Sequence, residues 1–244
     1  MEIDDKYRHP IDLFEEIVLS NREVIYCCGY PRSGTTWLTR LLAECLDSPA
    51  LSWSVKNDIR EKRHRDPAVE GLSRRGDYVI RHGHWKRRER DTKREKVVVI
   101  HRDPRDVAVS CYHYFSFHGG DMLKVVDQMV GKKGRGLGFV NVHGRGWAGY
   151  VQEWSDDGAC YVKYEDLVAD TEQVVFVILR RLGITPTVSA VSEVVERHKF
   201  ANRQKDKTMR KGKAGGWMSE LPRELAHQIE ALCEPEMRDL GYLK

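Results

Sequence analysis

Val24–Trp37 reads VIYCCGYPRSGTTW, and this stretch decides the fold. Val24–Gly29 is a short apolar run closed by glycine, which predicts a buried strand, and Thr36–Leu46 (TWLTRLLAECL) repeats its apolar residues at helical spacing. Between them, Gly29–Thr36 (GYPRSGTT) has the glycine spacing and final hydroxyl of a Walker A loop, with Thr35 in the lysine position. Such a loop turns successive backbone N–H groups inward, and the helix behind it adds its positive end, so fixed dipoles hold an anion. The cation has moved into the loop, to Arg32. Kinases built on this loop need the lysine on the terminal phosphates and Mg²⁺ on the hydroxyl. Its loss argues against triphosphate chemistry.

Working outward, Asp12–Leu19 has helical periodicity, Tyr78–Trp85 reads as a strand, and Lys96–Ile100 (KVVVI) reads as a strand buried on both faces. Asp106–Phe115 follows as a helix with Pro104 near its start, where a missing N–H costs little. Ala159–Tyr164 is a further strand, Glu172–Leu182 an amphipathic helix, and Leu221–Leu240 a closing helix. The glycine-rich stretch Gly131–Gly149 reads as a long mobile connection. Strands alternating with helices predict an α/β fold, a P-loop-like central parallel sheet flanked by helices on both faces. A chain of 244 residues suits one domain, taken as residues 1–244.

Composition bounds the function without naming it. The net charge of +4 is modest but uneven, with basic runs at Arg60–Arg65, Lys86–Lys96 and Arg203–Lys213. Such runs suit solvated faces, nucleic acid or an anionic small molecule. The six cysteines form no CxxC pair, so neither a zinc site nor a disulfide framework is expected. Met1–Pro10 is polar, and no apolar run approaches the roughly 20 residues a bilayer crossing needs. These features predict a cytoplasmic protein with no membrane span.

A second chemical segment is Val97–Tyr114 (VVVIHRDPRDVAVSCYHY). Arg102 stands at the carboxyl tip of a strand and Ser110 about two helical turns further on, placed to grip one phosphate in the crevice of an open α/β sheet. His101-Arg102-Asp103 mimics a protein-kinase catalytic loop, but the other kinase motifs are missing.

Together these segments resemble the sulfotransferases that use 3′-phosphoadenosine 5′-phosphosulfate (PAPS) and release PAP. YPRSGTTW is similar to their 5′-phosphosulfate motif, which usually has lysine where Arg32 stands, and RDPRDVAVS is similar to their 3′-phosphate motif. Tyr164–Leu167 (YEDL) and Arg210–Trp217 (RKGKAGGW) resemble two later motifs of the family, in the family's order. The resemblance implies that Arg32, Ser33, Gly34, Thr35 and Thr36 hold the 5′-phosphosulfate. It implies Trp37, Tyr164 and Phe200 around the adenine, Arg102 and Ser110 on the 3′-phosphate, and Arg210, Lys211 and Gly212 closing over that phosphate. Cationic side chains and N–H groups neutralise the departing phosphate in such a site, so no metal is expected.

A general base must take the acceptor's proton, and histidine suits neutral pH. Aligning Val79–Trp85 (VIRHGHW) on the family's lysine–hydroxyl–histidine pattern makes His84 the base, with His82 the competing assignment. Gly216 replaces an aspartate of the last motif, so a cap or salt bridge there should be absent. The family's KxxxTVxxxE dimer segment has no match, so the oligomeric state stays open. Tyr112–Tyr150, with His118, His143 and Trp147, would supply much of the acceptor lid. The expected acceptor is a small molecule with a hydroxyl or amine. A P-loop small-molecule kinase, an inactive PAP-binding relative and a nucleic-acid-binding module are the alternatives, the last leaving the phosphate motifs unexplained.

Overall fold

A computed structural model describes residues 22–52, 69–70, 74–84, 87, 93–115, 121–131, 146–155, 158–199 and 212–244. The expected helix at 12–19 and the basic run at 60–65 lie outside these residues, as do Trp85, His118, His143, Phe200, Arg210 and Lys211.

The strands are β1 (Glu23–Gly29), β2 (Ala50–Ser52), β3 (Val69–Glu70), β4 (Tyr78–Gly83), β5 (Lys96–His101) and β6 (Cys160–Lys163). All lie in one sheet of order β3-β2-β4-β1-β5-β6. Only β3 runs antiparallel, at the edge; the other strands are parallel. Parallel strands need crossovers, and those bring helices over both faces. β5 shows the result, because Val97 and Val99 point into one core and Val98 and Ile100 into the other.

The first core is covered by α2 (Pro104–Phe115), α3 (Met122–Met129), α4 (Gly146–Glu153), α9 (Arg223–Leu232) and α10 (Glu234–Asp239). The second is covered by α1 (Thr35–Cys45), α5 (Tyr164–Ala169), α6 (Thr171–Arg181) and α7 (Val188–Arg197). A short α8 (Trp217–Glu220) precedes α9. None of the described helices is long and apolar enough to cross a membrane.

Three expectations need correction. The stretch Leu221–Leu240 is not one helix. It breaks at Cys233 because Pro235 stands in the first turn of α10, where it cannot donate the bond a continuous helix requires. The glycine-rich stretch is not all connection: α4 arises within it, since Trp147, Tyr150 and Trp154 share a buried stripe at helical spacing. The strand expected to reach Trp85 ends at Gly83, where its pairing with β1 ends as β1 runs on into the phosphate loop after Gly29.

Candidate active site

The loop between β1 and α1 sits at the carboxyl end of the central strand. Tyr30 anchors its entry, buried and edge-on to Tyr150 at 5.9 Å. The Ser33 N–H donates to the Tyr30 carbonyl at 3.1 Å, which curls the backbone tightly. Arg32 takes a left-handed φ of 68°, costly for a residue with a side chain and consistent with a loop fixed by its surroundings. Gly34 takes φ 94°, and a Cβ there would lie 2.6 Å from the Tyr164 ring. Only glycine meets both demands.

Gly34 caps α1 without a side-chain hydrogen bond, so no cap takes up the first-turn N–H groups of Thr35, Thr36 and Trp37. The Ser33 Oγ and Thr35 Oγ1 are also buried with no partner among the described residues. Backbone donors, hydroxyls and a helix N-terminus therefore lie together in one short loop, the setting in which an anion is held.

The second segment comes to the same place. β5 ends at His101, and Asp103 caps α2 by accepting the Arg105 N–H at 2.8 Å, with Pro104 as the first helical residue. This sets Ser110 on α2 facing the loop, where its Oγ accepts from Arg32 Nε at 3.2 Å. Arg102 donates through Nη1 to the Arg32 carbonyl at 3.2 Å and through Nη2 to the Lys213 carbonyl at 3.4 Å. Its guanidinium lies 4.2 Å from the Tyr164 ring centre, and its buried Nε has no partner among the described residues. Arg32 itself lies 4.4 Å from the Tyr114 ring centre. Burial holds the Arg32 pKa below its ordinary value, with Arg102 adding to the effect. An arginine so shifted is still charged at neutral pH. Trp37 and Tyr164 meet edge to face at 6.0 Å.

Gly212, with φ 58°, is the described end of the last motif. The following turn is held by α2: Asp106 accepts the Gly215 N–H at 2.7 Å and the Trp217 N–H at 2.9 Å. Arg105 lies 3.9 Å from the Trp217 ring centre. It is fixed there by Asp103, by Glu230 at 2.6 Å and by the Tyr242 carbonyl at 3.1 Å. Glu165 accepts the Asp103 N–H at 3.0 Å and the Tyr242 hydroxyl at 3.1 Å, which ties the chain's end to the same corner. Neither Asp106 nor Glu165 is among the site residues expected from the sequence. The signal for Asp106 was an acid in the first turn of a helix whose neighbouring motifs are basic.

His84 follows directly on β4, and its Nδ1 lies 2.6 Å from the Gly29 carbonyl. A carbonyl only accepts, so Nδ1 carries the proton in this bond. His82 is half-buried in β4 beside Cys27 of β1. Burial, then His84 and Arg40, push its pKa down to about 4.

The fold and this loop define a P-loop-like α/β protein with an anion-binding cradle. Residues 22–241 match the sulfotransferase domain family. This chain belongs to the sulfotransferases, the enzymes that take their sulfuryl group from PAPS. It is 24% identical over 248 residues to human Sulfotransferase 2B1, a match covering 88% of this chain and 66% of that protein. In structure it is similar to mouse sulfotransferase SULT7A1 complexed with PAP, with TM-score 0.66 and 20% identity over 93% of this chain and 92% of the other. It is also similar to retinol dehydratase in complex with androsterone and PAP, with TM-score 0.62 and 17% identity over 93% and 85% of the two chains. Nothing in these matches supports a kinase.

Proposed function

We propose that this site binds PAPS through the residues named from the sequence and transfers its sulfuryl group to a small-molecule hydroxyl or amine. Arg32, Ser33, Gly34, Thr35 and Thr36 hold the 5′-phosphosulfate. Arg102, Ser110, Arg210, Lys211 and Gly212 hold the 3′-phosphate, and Trp37, Tyr164 and Phe200 surround the adenine. The observation that carries this reading is the Arg32–Ser110 hydrogen bond, which joins the two phosphate motifs around buried hydroxyls that lack partners among the described residues.

PAPS supplies the sulfuryl group, which passes in line to the acceptor oxygen as the S–O bond to the 5′-phosphate breaks. His84 takes the acceptor's proton at Nε2, since its Nδ1 proton is committed to the Gly29 carbonyl. Arg32 stabilises charge on the departing oxygen by electrostatics, because an arginine does not give up its proton as a lysine can. Retinol dehydratase in complex with androsterone supports an apolar alcohol within the acceptor class. One sheet holding every described strand supports a single domain over residues 1–244. The absence of a membrane-crossing helix among the described residues agrees with a cytoplasmic setting.

Calorimetric titration with PAP, followed by transfer from radiolabelled PAPS to a panel of phenols, alcohols and amines, tests the reading. PAP binding with transfer is expected. No PAP binding would overturn it, and binding without transfer would identify an inactive relative.

A further inference from the structure

The last phosphate motif is seated by a residue outside every phosphate-binding role given above. Asp106 occupies the first turn of α2, where the helix dipole favours a carboxylate. It is 3% exposed, and a carboxylate so buried needs hydrogen-bond donors. It accepts from the Gly215 and Trp217 N–H groups, at 2.7 and 2.9 Å. Charge-assisted bonds of this length are among the stronger ones a protein makes.

The turn it holds bears Gly212 and Lys213 on one side and Trp217 on the other. Arg102, a 3′-phosphate residue, reaches that turn through the Lys213 carbonyl. Arg105, next to Asp106, supplies the platform under the Trp217 ring. At position 216 this chain has glycine where the family pattern has aspartate. A Cβ built there would lie 3.7 Å from both Asp106 Oδ1 and Glu220 Oε1. Among the described residues, Asp106 is thus the carboxylate that meets this turn's N–H groups. The same helix carries Ser110, so one rigid element sets the spacing between the 3′-phosphate serine and the segment that closes over that phosphate.

We propose that Asp106 is a positioning residue for PAPS. By seating the Gly212–Trp217 turn on α2, it sets donor affinity while leaving the transfer step to Arg32 and His84. The inference rests on the PAPS reading above.

The test compares Asp106→Ala and Asp106→Asn with the wild type. Asn keeps the shape and one acceptor oxygen but turns a donor toward an N–H. In Asp106→Ala, the PAP dissociation constant and the KM for PAPS should each rise about tenfold or more, with Asp106→Asn between it and the wild type. The kcat at saturating PAPS and the KM for the acceptor should change less than about threefold, a split that general loss of packing would not produce. Tryptic cleavage after Lys213 should also speed up in both variants. If Ala fails to fold, Asn decides the matter by the same measurements. Unchanged PAP affinity in a folded variant overturns the proposal, as does a fall confined to kcat. A wild type that does not bind PAP overturns the PAPS reading, and this inference with it.

Discussion

Arg32 and Ser110 stand 78 positions apart, yet Nε and Oγ meet at 3.2 Å, so the two phosphate motifs form one site. Arg32→Ala removes a half-buried cation and should lower kcat about 10²–10³-fold in a radiolabelled PAPS assay. Arg32→Lys restores a charge of similar reach and should recover most of that loss. A turnover for Arg32→Ala within a few-fold of wild type would remove arginine from the transfer step.

His84 and His82 can be separated in the same assay. The Nδ1 of His84 is bonded to the Gly29 carbonyl, which leaves Nε2 as the nitrogen proposed to take the proton, whereas His82 sits within β4 beside Cys27. His84→Ala should lower kcat about 10²–10⁴-fold. His82→Ala should cost less than about tenfold, the scale of a packing defect near the site. The reverse order would make His82 the base.

Gly34→Ala should be among the most damaging small changes in the chain. Its φ of 94° is unfavourable for alanine, and the new methyl would lie 2.6 Å from Tyr164. Strain of this kind costs about 1–3 kcal/mol, to be read as a lower urea midpoint together with weaker PAP binding. An unaltered PAP titration would show that the loop can shift without harm.

Acid should weaken the fold before the carboxylates titrate. Burial pushes His82 and His101 down to about 4, helped by His84 and Arg40 in the first case and by Lys163 in the second. The unfolded chain takes up these protons near the ordinary histidine value of about 6.5. Between the two values the unfolded state holds more protons, so stability rises with pH and is lost as pH falls from about 6.5 toward about 4. His101→Phe keeps a ring to stack on Tyr161, which His101 meets at 5.6 Å, and should flatten that loss in urea titrations across the window. A pH slope identical to wild type would exclude His101 as a source.

The β1–loop–α1 unit was legible because its signals are local: an apolar run, two glycines and a helical repeat within Val24–Leu46. Arg102 and Ser110 were legible for the same reason, as a strand end followed by Asp103-Pro104. What lay beyond reach depends on partners distant in sequence. β2 has only 3 residues and exists through its pairing with β3 and β4. Asp106 acts on residues 109 and 111 positions away, which no spacing rule reports. The end of β4 at Gly83 follows from where its neighbour turns, not from its own side chains. The helix Met122–Met129 differs, since its Asp121 cap accepting the Leu123 N–H is a local signal that the reading passed over.

β1 lies inside the sheet, paired to β4 on one side and β5 on the other. Its last residue gives the carbonyl that orients His84, and the chain continues at once into the turn that carries Arg32. On the proposed assignment, the group that receives the proton and the group that steadies the departing charge are both referenced to one strand end. Arg32 rides on the loop after β1 and His84 follows β4, and the hydrogen bond to the Gly29 carbonyl ties the second to the first. The reaction axis is in this sense self-calibrating, and its straightness should tolerate movement of the outer helices better than an axis shared between two domains.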